Sequence, residues 1–196
     1  MSFLVEVTGS HGVGKTTLVE VLQQFYESAG KSTVRFLGGE IARQVKEYGI
    51  SINEQGTDLS QCVIFSGILD RLQSGLFDHE RYIVFSDRSL VCPAAYSKVL
   101  KINDFILKTH LNMVKTFYKK IKRNNGVLFY LPIEFEIEDD GVRSTNEKFQ
   151  KEVDVAIISI LEEFKIPYYS LSGSVEERKD AAVNIINGVV QLEGIK

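Results

Sequence analysis

Residues 9–16, Gly9-Ser10-His11-Gly12-Val13-Gly14-Lys15-Thr16, constrain this chain more than any other stretch. They fit G-x-x-x-x-G-K-[ST] at every fixed position, between the apolar run Phe3-Leu4-Val5-Glu6-Val7 and an amphipathic segment opening Thr17-Leu18-Val19. Strand, glycine-rich turn and helix in that order form a cradle for phosphate. Gly9, Gly12 and Gly14 let the backbone wrap round an anion without Cβ clashes, so successive N–H groups point inward. The helix that follows presents unpaired N–H groups and the positive end of its dipole to the same anion. Lys15 is placed to reach the β- and γ-phosphates, and the Thr16 hydroxyl to ligate Mg²⁺. A glycine-rich turn that matches by accident is the bland alternative, and the correct flanks disfavour it. Residues Gly9 to Thr17 are therefore expected to hold a nucleoside triphosphate.

At 196 residues the chain is long enough for one domain with a sizeable core. A net charge of −3 argues against a surface built throughout for nucleic acid, while leaving room for a local patch. Cys62 and Cys92 have no metal-ligand spacing and read as buried thiols in a reducing compartment. The first strand begins at the N-terminus without a signal peptide, and no apolar run approaches a membrane span. These features predict a cytoplasmic protein.

Along the chain, apolar periodicity predicts strands alternating with helices. The helix after the loop carries Leu18, Leu22, Phe25 and Ala29 with Val19, Val21 and Tyr26, and ends at Gly30. Ser32 to Leu37 reads as a strand, Glu40 to Tyr48 as a short helix, and Asn53 to Gly56 as a polar turn. A helix capped at Thr57 or Asp58 runs to Gly75, with Leu59, Val63, Ser66, Ile68, Leu69 and Leu72 as its apolar stripe. Arg81 to Phe85 and Val127 to Leu131 read as strands, and Pro93 begins a helix turn. Between those strands lies a longer helix with Leu107, Leu111, Val114, Tyr118 and Ile121 as its buried face. A helix through Val153 and Phe164, a strand from Ile166 to Leu171 and a final helix follow. The alternation means an α/β fold, a parallel sheet with helices on both faces. Glu6 breaks the apolar pattern of the first strand, either as a satisfied buried carboxylate or by lying near the strand's end. An acceptor-binding helical insert at about 40–78 lies beside the phosphate loop, where ligands of such sheets bind.

Three further stations fall at the ends of strands. Glu40 and Arg43 stand one helical turn apart, so both can face one cleft, where a carboxylate could hold or deprotonate a hydroxyl. A helix-start Glu with a surface Arg partner explains them equally well. Asp87-Arg88 follows a hydrophobic strand: the acid could order Mg²⁺ or act as a base, and Arg88 could grip a phosphate. Arg143, in the acidic loop Glu134 to Asn146, could neutralise charge on a transferred phosphoryl group.

Taken together, these residues resemble the P-loop kinases of nucleosides and nucleotides. The likeness is to the small branch that includes ribosylnicotinamide kinase-like and phage AAA-type ATPase-like proteins. The motifs are Gly14-Lys15-Thr16-Thr17, Glu40 to Arg43, Asp87-Arg88, Asp140 to Arg143, and Gly173-Ser174-Val175-Glu176-Glu177-Arg178. Asp87-Arg88-Ser89 followed by Ala95-Tyr96 is similar to a stretch of thymidylate kinases. That likeness is weaker, because those enzymes carry an acid where Thr8 stands. The resemblance implies a three-layer P-loop NTPase fold with a five-stranded sheet of order 2-3-1-4-5 and a lid at about 133–148. It places adenine near Gly173, Ser174 and Arg178, and the acceptor over the insert, with Gln61 where related deoxynucleoside kinases bind a base.

The expectation is an ATP- and Mg²⁺-dependent phosphotransferase acting on a nucleoside or nucleoside monophosphate. Lys15 and Thr16 hold triphosphate and metal, with Asp87 as the second metal residue or the base. Glu40, Arg43, Gln61 and Arg88 bind the acceptor, and Arg88 and Arg143 stabilise the moving phosphoryl group. Two alternatives stand beside it. One is a kinase acting on nucleosides within DNA or RNA, held along the lysine face Lys108, Lys115, Lys119 and Lys122. The other is an ATPase or switch without a small acceptor; a GTP switch is disfavoured because no N-K-x-D segment is present. No membrane partner is expected, and a dimer is compatible with all three.

Overall fold

Phe3–Thr8 forms the strand β1, buried at all six positions, and every other element is arranged round it. The computed structural model describes residues 2–77, 82–120, 125–137 and 144–189. In it β2 (Thr33–Phe36), β3 (Ile83–Ser86), β4 (Gly126–Tyr130) and β5 (Tyr169–Ser170) join β1 in one parallel sheet of order β2-β3-β1-β4-β5. This is the expected order 2-3-1-4-5. Leu4 lies opposite Val84 on one side and Gly126 on the other, so β1 is hydrogen-bonded along both edges.

Alternation along β1 divides the core in two. Phe3, Val5 and Val7 face α1 (Lys15–Ser28) and α7 (Val175–Val189), where Leu18, Leu22, Ala182 and Ile186 close the layer. Leu4 faces the larger core built by α3 (Asp58–Phe77), α4 (Val91–Val99) and α6 (Glu147–Glu163), with Leu72, Ala95 and Ile157 at its centre. The short helix α2 (Gly38–Glu47) follows β2, a 3-10 turn spans Asn53–Gln55, and α5 (Asp104–Lys120) packs mainly on α3 and α4. No helix among the described residues is long and apolar enough to cross a membrane.

Several expected faces differ. In α3, Leu59 and Val63 are exposed while Ser60, Gln61, Ile64, Phe65, Ile68, Leu72 and Leu76 are buried. This helix is apolar nearly all round, so tertiary packing and not its own period selects the buried side. In α1, Phe25 lies outside the core and meets Tyr26 edge-on. In α5 only His110 and Val114 are buried. His110 stacks flat on Phe65 with ring centroids 4.1 Å apart and its Nδ1 lies 3.0 Å from the Ser97 hydroxyl. The expected strand from Ile166 to Leu171 shortens to Tyr169–Ser170 at the sheet edge.

Glu6 is a satisfied buried carboxyl. It points to the α3–α6 side, accepts a 2.9 Å hydrogen bond from the Tyr118 hydroxyl, and is pushed by burial up to about 8. Between pH 4.5 and about 8 the folded chain therefore keeps a proton on Glu6 that the unfolded chain has released, and stability falls as pH rises through that window. Glu6→Gln keeps the acceptor for Tyr118 and removes the dependence. The stability of the variant relative to the native chain is expected to rise by up to about 1.4 kcal/mol per pH unit across the window. Urea unfolding of both chains at several pH values reads this out, and a difference that does not change with pH would show that Glu6 is not held neutral.

Candidate active site

The phosphate loop takes the shape its glycines permit. Gly9 has φ +143°, and a Cβ there would lie 2.6 Å from the backbone oxygen of Leu131. Gly12 and Gly14 are left-handed at φ +78° and +85°. Gly14 is also the N-cap of α1, which has no side-chain cap and no acidic residue in its first turn. The first N–H groups of α1 are thus left for an anion at the mouth of the loop. Lys15 is buried and its Nζ donates to the Ser10 carbonyl across the loop. The Cys92 thiol lies beneath the loop, 3.8 Å from the Gly9 carbonyl. Burial opposes its ionisation, yet the charges of Lys15 and Arg88 bring it below its ordinary value.

Asp87 follows β3, the strand beside β1, and this adjacency brings it to Thr16 across 71 residues of sequence. The Thr16 hydroxyl donates to Asp87 Oδ2 at 2.9 Å, and the Gly38 N–H, from the end of β2, donates to Oδ1. Hydroxyl and carboxylate side by side fit the protein's share of a Mg²⁺ site whose other positions are water and phosphate oxygen. Among the described residues no group of three or more His, Cys, Asp or Glu side chains gathers as a metal cage.

Lys15, Thr16, Glu40, Arg43, Asp87 and Arg88 line one cavity of about 130 Å³. The structure thus brings Lys15 and Thr16 of the phosphate loop and three of the four expected acceptor residues, Glu40, Arg43 and Arg88, to a single cleft. Ile52 and Asn53 line it too, which the sequence did not single out. Asn53 sits at φ +56°, a left-handed setting that Asn tolerates better than most residues, and this was the one signal available in a polar turn. Arg71, also not foreseen, donates to the Leu37 carbonyl at 2.7 Å and reaches Glu40 at 3.5 Å, tying α3 to the start of α2. The Arg88 guanidinium lies 5.9 Å from the centre of the Tyr96 ring, and the Tyr96 hydroxyl meets His11 Nδ1 of the loop at 2.9 Å. Burial pushes Tyr96 up to about 12, so it stays a neutral phenol between them.

Other expected residues have different settings. Gln61 is 2% exposed and does not line the cleft; its amide nitrogen packs beneath Gly56. Ser174 and Glu177 cap α7 reciprocally: the Ser174 N–H and hydroxyl reach Glu177 at 2.8 Å, and the Glu177 N–H reaches the Ser174 hydroxyl at 3.3 Å. Gly173 makes the left-handed turn into that cap. Arg178 is 3% exposed, where the family likeness implied a residue facing adenine. It donates to the Val13 carbonyl at 2.8 Å and pairs with Glu134 at 2.6 Å. That pairing and the Gly173 N–H hold the Glu134 carboxyl below the usual carboxylate range. Lys108, Lys115 and Lys119 are exposed on α5, away from the cleft residues. Arg143 and Lys122 lie outside the described residues, as does most of the segment that includes Asp140.

With this geometry in place, comparisons with known proteins bear on the fold. A thymidylate kinase from Sulfurihydrogenibium sp. (strain YO3AOP1) is 22% identical over 194 residues, covering 90% of this chain and 91% of that protein. Among solved structures, NadR protein in complex with NR superposes with a TM-score of 0.73 at 20% identity over 96% of this chain. The chain spans about half of that protein, 51% of its length. A deoxyadenosine kinase from M. mycoides, with products dCMP and a flexible dCDP bound, has a TM-score of 0.62 at 13% identity, covering 95% of this chain and all of that one. The fold is that of the P-loop nucleoside and nucleotide kinases. Residues 4–178 match the family model described as an AAA domain, and the chain belongs to that AAA domain family.

Proposed function

We propose that the chain is a phosphotransferase that uses ATP and Mg²⁺ to phosphorylate a nucleoside or nucleoside monophosphate. One observation carries this: Lys15, Thr16 and Asp87 share a cavity with Glu40, Arg43 and Arg88. An ATPase or switch needs the first three; a second set of polar and cationic side chains across the same cavity serves an acceptor. The names of the relatives, thymidylate kinase, deoxyadenosine kinase and the NadR protein crystallised with AMP-PNP, support the same class.

In this mechanism the N–H groups of residues 12–16 bind the β-phosphate, and Lys15 leaves the Ser10 carbonyl to bridge β- and γ-phosphates. Thr16 and Asp87 would hold the metal, whose charge would offset that of the phosphates. Both Asp87 oxygens are engaged, with Thr16 and Gly38, and in this reading Glu40, held at 3.5 Å by Arg71, orients the acceptor hydroxyl and takes its proton. Arg43 and Arg88 bind the acceptor, and Arg88, close to the loop, also meets the transferred phosphoryl group. Most of the rate enhancement then comes from positioning and charge.

Lys15→Ala is expected to lower phosphoryl transfer by at least about a hundredfold while the chain melts as before, since an oriented cation at the phosphates is lost. Acceptor-dependent ADP release measures it, with nucleosides, monophosphates and oligonucleotides as acceptors. Turnover within a few-fold of the native chain would remove the site. Arg143, assigned to the transferred phosphoryl group from its place in the acidic loop, gives a different signature. Arg143→Ala should lower kcat more than it weakens ATP binding. Unchanged kcat with weaker ATP binding would make it a ground-state clamp instead.

The same acceptor screen decides against the polymer reading. Replacing Lys108, Lys115, Lys119 and Lys122 by Gln should leave activity on the preferred small acceptor within about twofold, because Lys108, Lys115 and Lys119 are exposed and do not line the cleft. A polymer substrate would lose about 0.7 to 0.9 from its salt slope per phosphate contact removed. Activity that is highest on DNA or RNA and collapses in the fourfold variant would replace the small acceptor by a nucleic acid.

A further inference from the structure

We infer that Gln150 and Arg178 are positioning residues of the phosphate loop, holding the carbonyls of His11 and Val13 from outside and so aiming the Gly12 and Gly14 amides at the bound phosphates. The inference rests on the phosphate-site reading given above and adds to it the residues that keep the site in its binding shape.

The argument starts from the peptide unit. It is planar and trans, so the carbonyl of one residue and the N–H of the next point in opposite directions. Fixing the His11 carbonyl fixes the Gly12 N–H, and fixing the Val13 carbonyl fixes the Gly14 N–H. These are the two peptides most in need of fixing. Gly12 and Gly14 sit at φ +78° and +85°, and glycine adopts either sign of φ about equally, so the loop's own sequence does not choose an orientation. Gln150 Nε2 donates to the His11 carbonyl at 2.7 Å, and Arg178 Nη1 to the Val13 carbonyl at 2.8 Å. Both side chains are almost wholly buried, at 2% and 3% exposure, so water does not compete for these carbonyls.

Both braces are themselves anchored. Gln150 stands in the first turn of α6, whose start is set by the Asn146 side chain accepting the Phe149 N–H at 3.1 Å. Arg178 stands in the first turn of α7, behind the Ser174–Glu177 cap, with its second nitrogen on Glu134 and its guanidinium 5.1 Å from the Phe135 ring centre. Among the described residues its buried Nε has no hydrogen-bond partner. An orphaned buried donor lowers stability, so stability alone does not account for an arginine here. A fork that grips a carbonyl and a carboxylate together does.

The test uses the full chain labelled with ¹⁵N-glycine, as the native protein and as Gln150→Leu, Arg178→Met and Arg178→Lys. Calorimetry gives the Kd of inorganic tripolyphosphate with Mg²⁺, spectra give the Gly12 and Gly14 amide shifts, and melting of the unliganded chain gives stability. Tripolyphosphate is expected to bind at least about tenfold more weakly to Gln150→Leu and Arg178→Met, with the Gly12 amide moved in the first and the Gly14 amide in the second. Arg178→Lys should recover part of the loss. Unchanged Kd in all three overturns the inference, as does a weaker Kd with both glycine amides in their native positions, which would mark general destabilisation. A native chain that does not bind tripolyphosphate removes the phosphate site itself, a result distinct from either. Should Arg178→Met not fold, Gln150→Leu, which breaks no ion pair, and Arg178→Lys decide the matter.

Discussion

A backbone that presents several N–H groups to one anion must turn as many carbonyls the other way, and the rest of this fold is placed to receive them. The Gly9 carbonyl lies 3.8 Å from the Cys92 thiol of α4, and the Ser10 carbonyl accepts from Lys15. The His11 and Val13 carbonyls accept from α6 and α7, and the Gly14 carbonyl from the Leu18 N–H of α1. Helix α1, which continues the loop, and three helices distant in sequence, α4, α6 and α7, thus meet the same short loop. Buried carbonyls without partners would cost about as much as the stability margin allows, so loop and surroundings specify each other.

The parallel sheet supplies the second condition. Because β2, β3 and β1 are neighbours and run the same way, Gly38 and Asp87, just past β2 and β3, come to lie in a row with Thr16 at the start of α1. The proposed metal site and acceptor cleft depend on this strand order. Beneath that row the sheet carries polar side chains that a buried strand would ordinarily exclude. Glu6 meets Tyr118, Ser89 donates to Thr8 at 3.0 Å, and Thr8 lies 3.2 Å from the Cys92 sulfur. Each has a partner, which makes their burial tolerable and keeps the floor of the loop rigid.

Much of this was legible from residue order. The phosphate loop announces itself because its chemistry is local: glycines, a lysine and a hydroxyl within eight positions. Asp87, Glu40 and Arg43 were recognisable because each follows a strand closely, and a parallel sheet puts the ends of its strands on one side. The helices were visible from their apolar period, though not always their inner faces.

What only the tertiary structure decided are the matters on which local sequence is neutral. Leu59 and Val63 read as core and are exposed, while Gln61 is buried, because a helix apolar on most sides turns whichever face its neighbours require. Ile52 and Asn53 enter the cleft through a turn whose course depends on contacts far away in sequence. Arg178, read as a residue near adenine, also donates to the Val13 carbonyl, 165 positions away. By itself the sequence determined the chemistry of the loop, which follows from short-range pattern, while the strand order that surrounds it came only from the resemblance its motifs carry. The tertiary structure decided which side chains support that chemistry, since a hydrogen bond across 139 or 165 residues leaves no periodic trace in the chain.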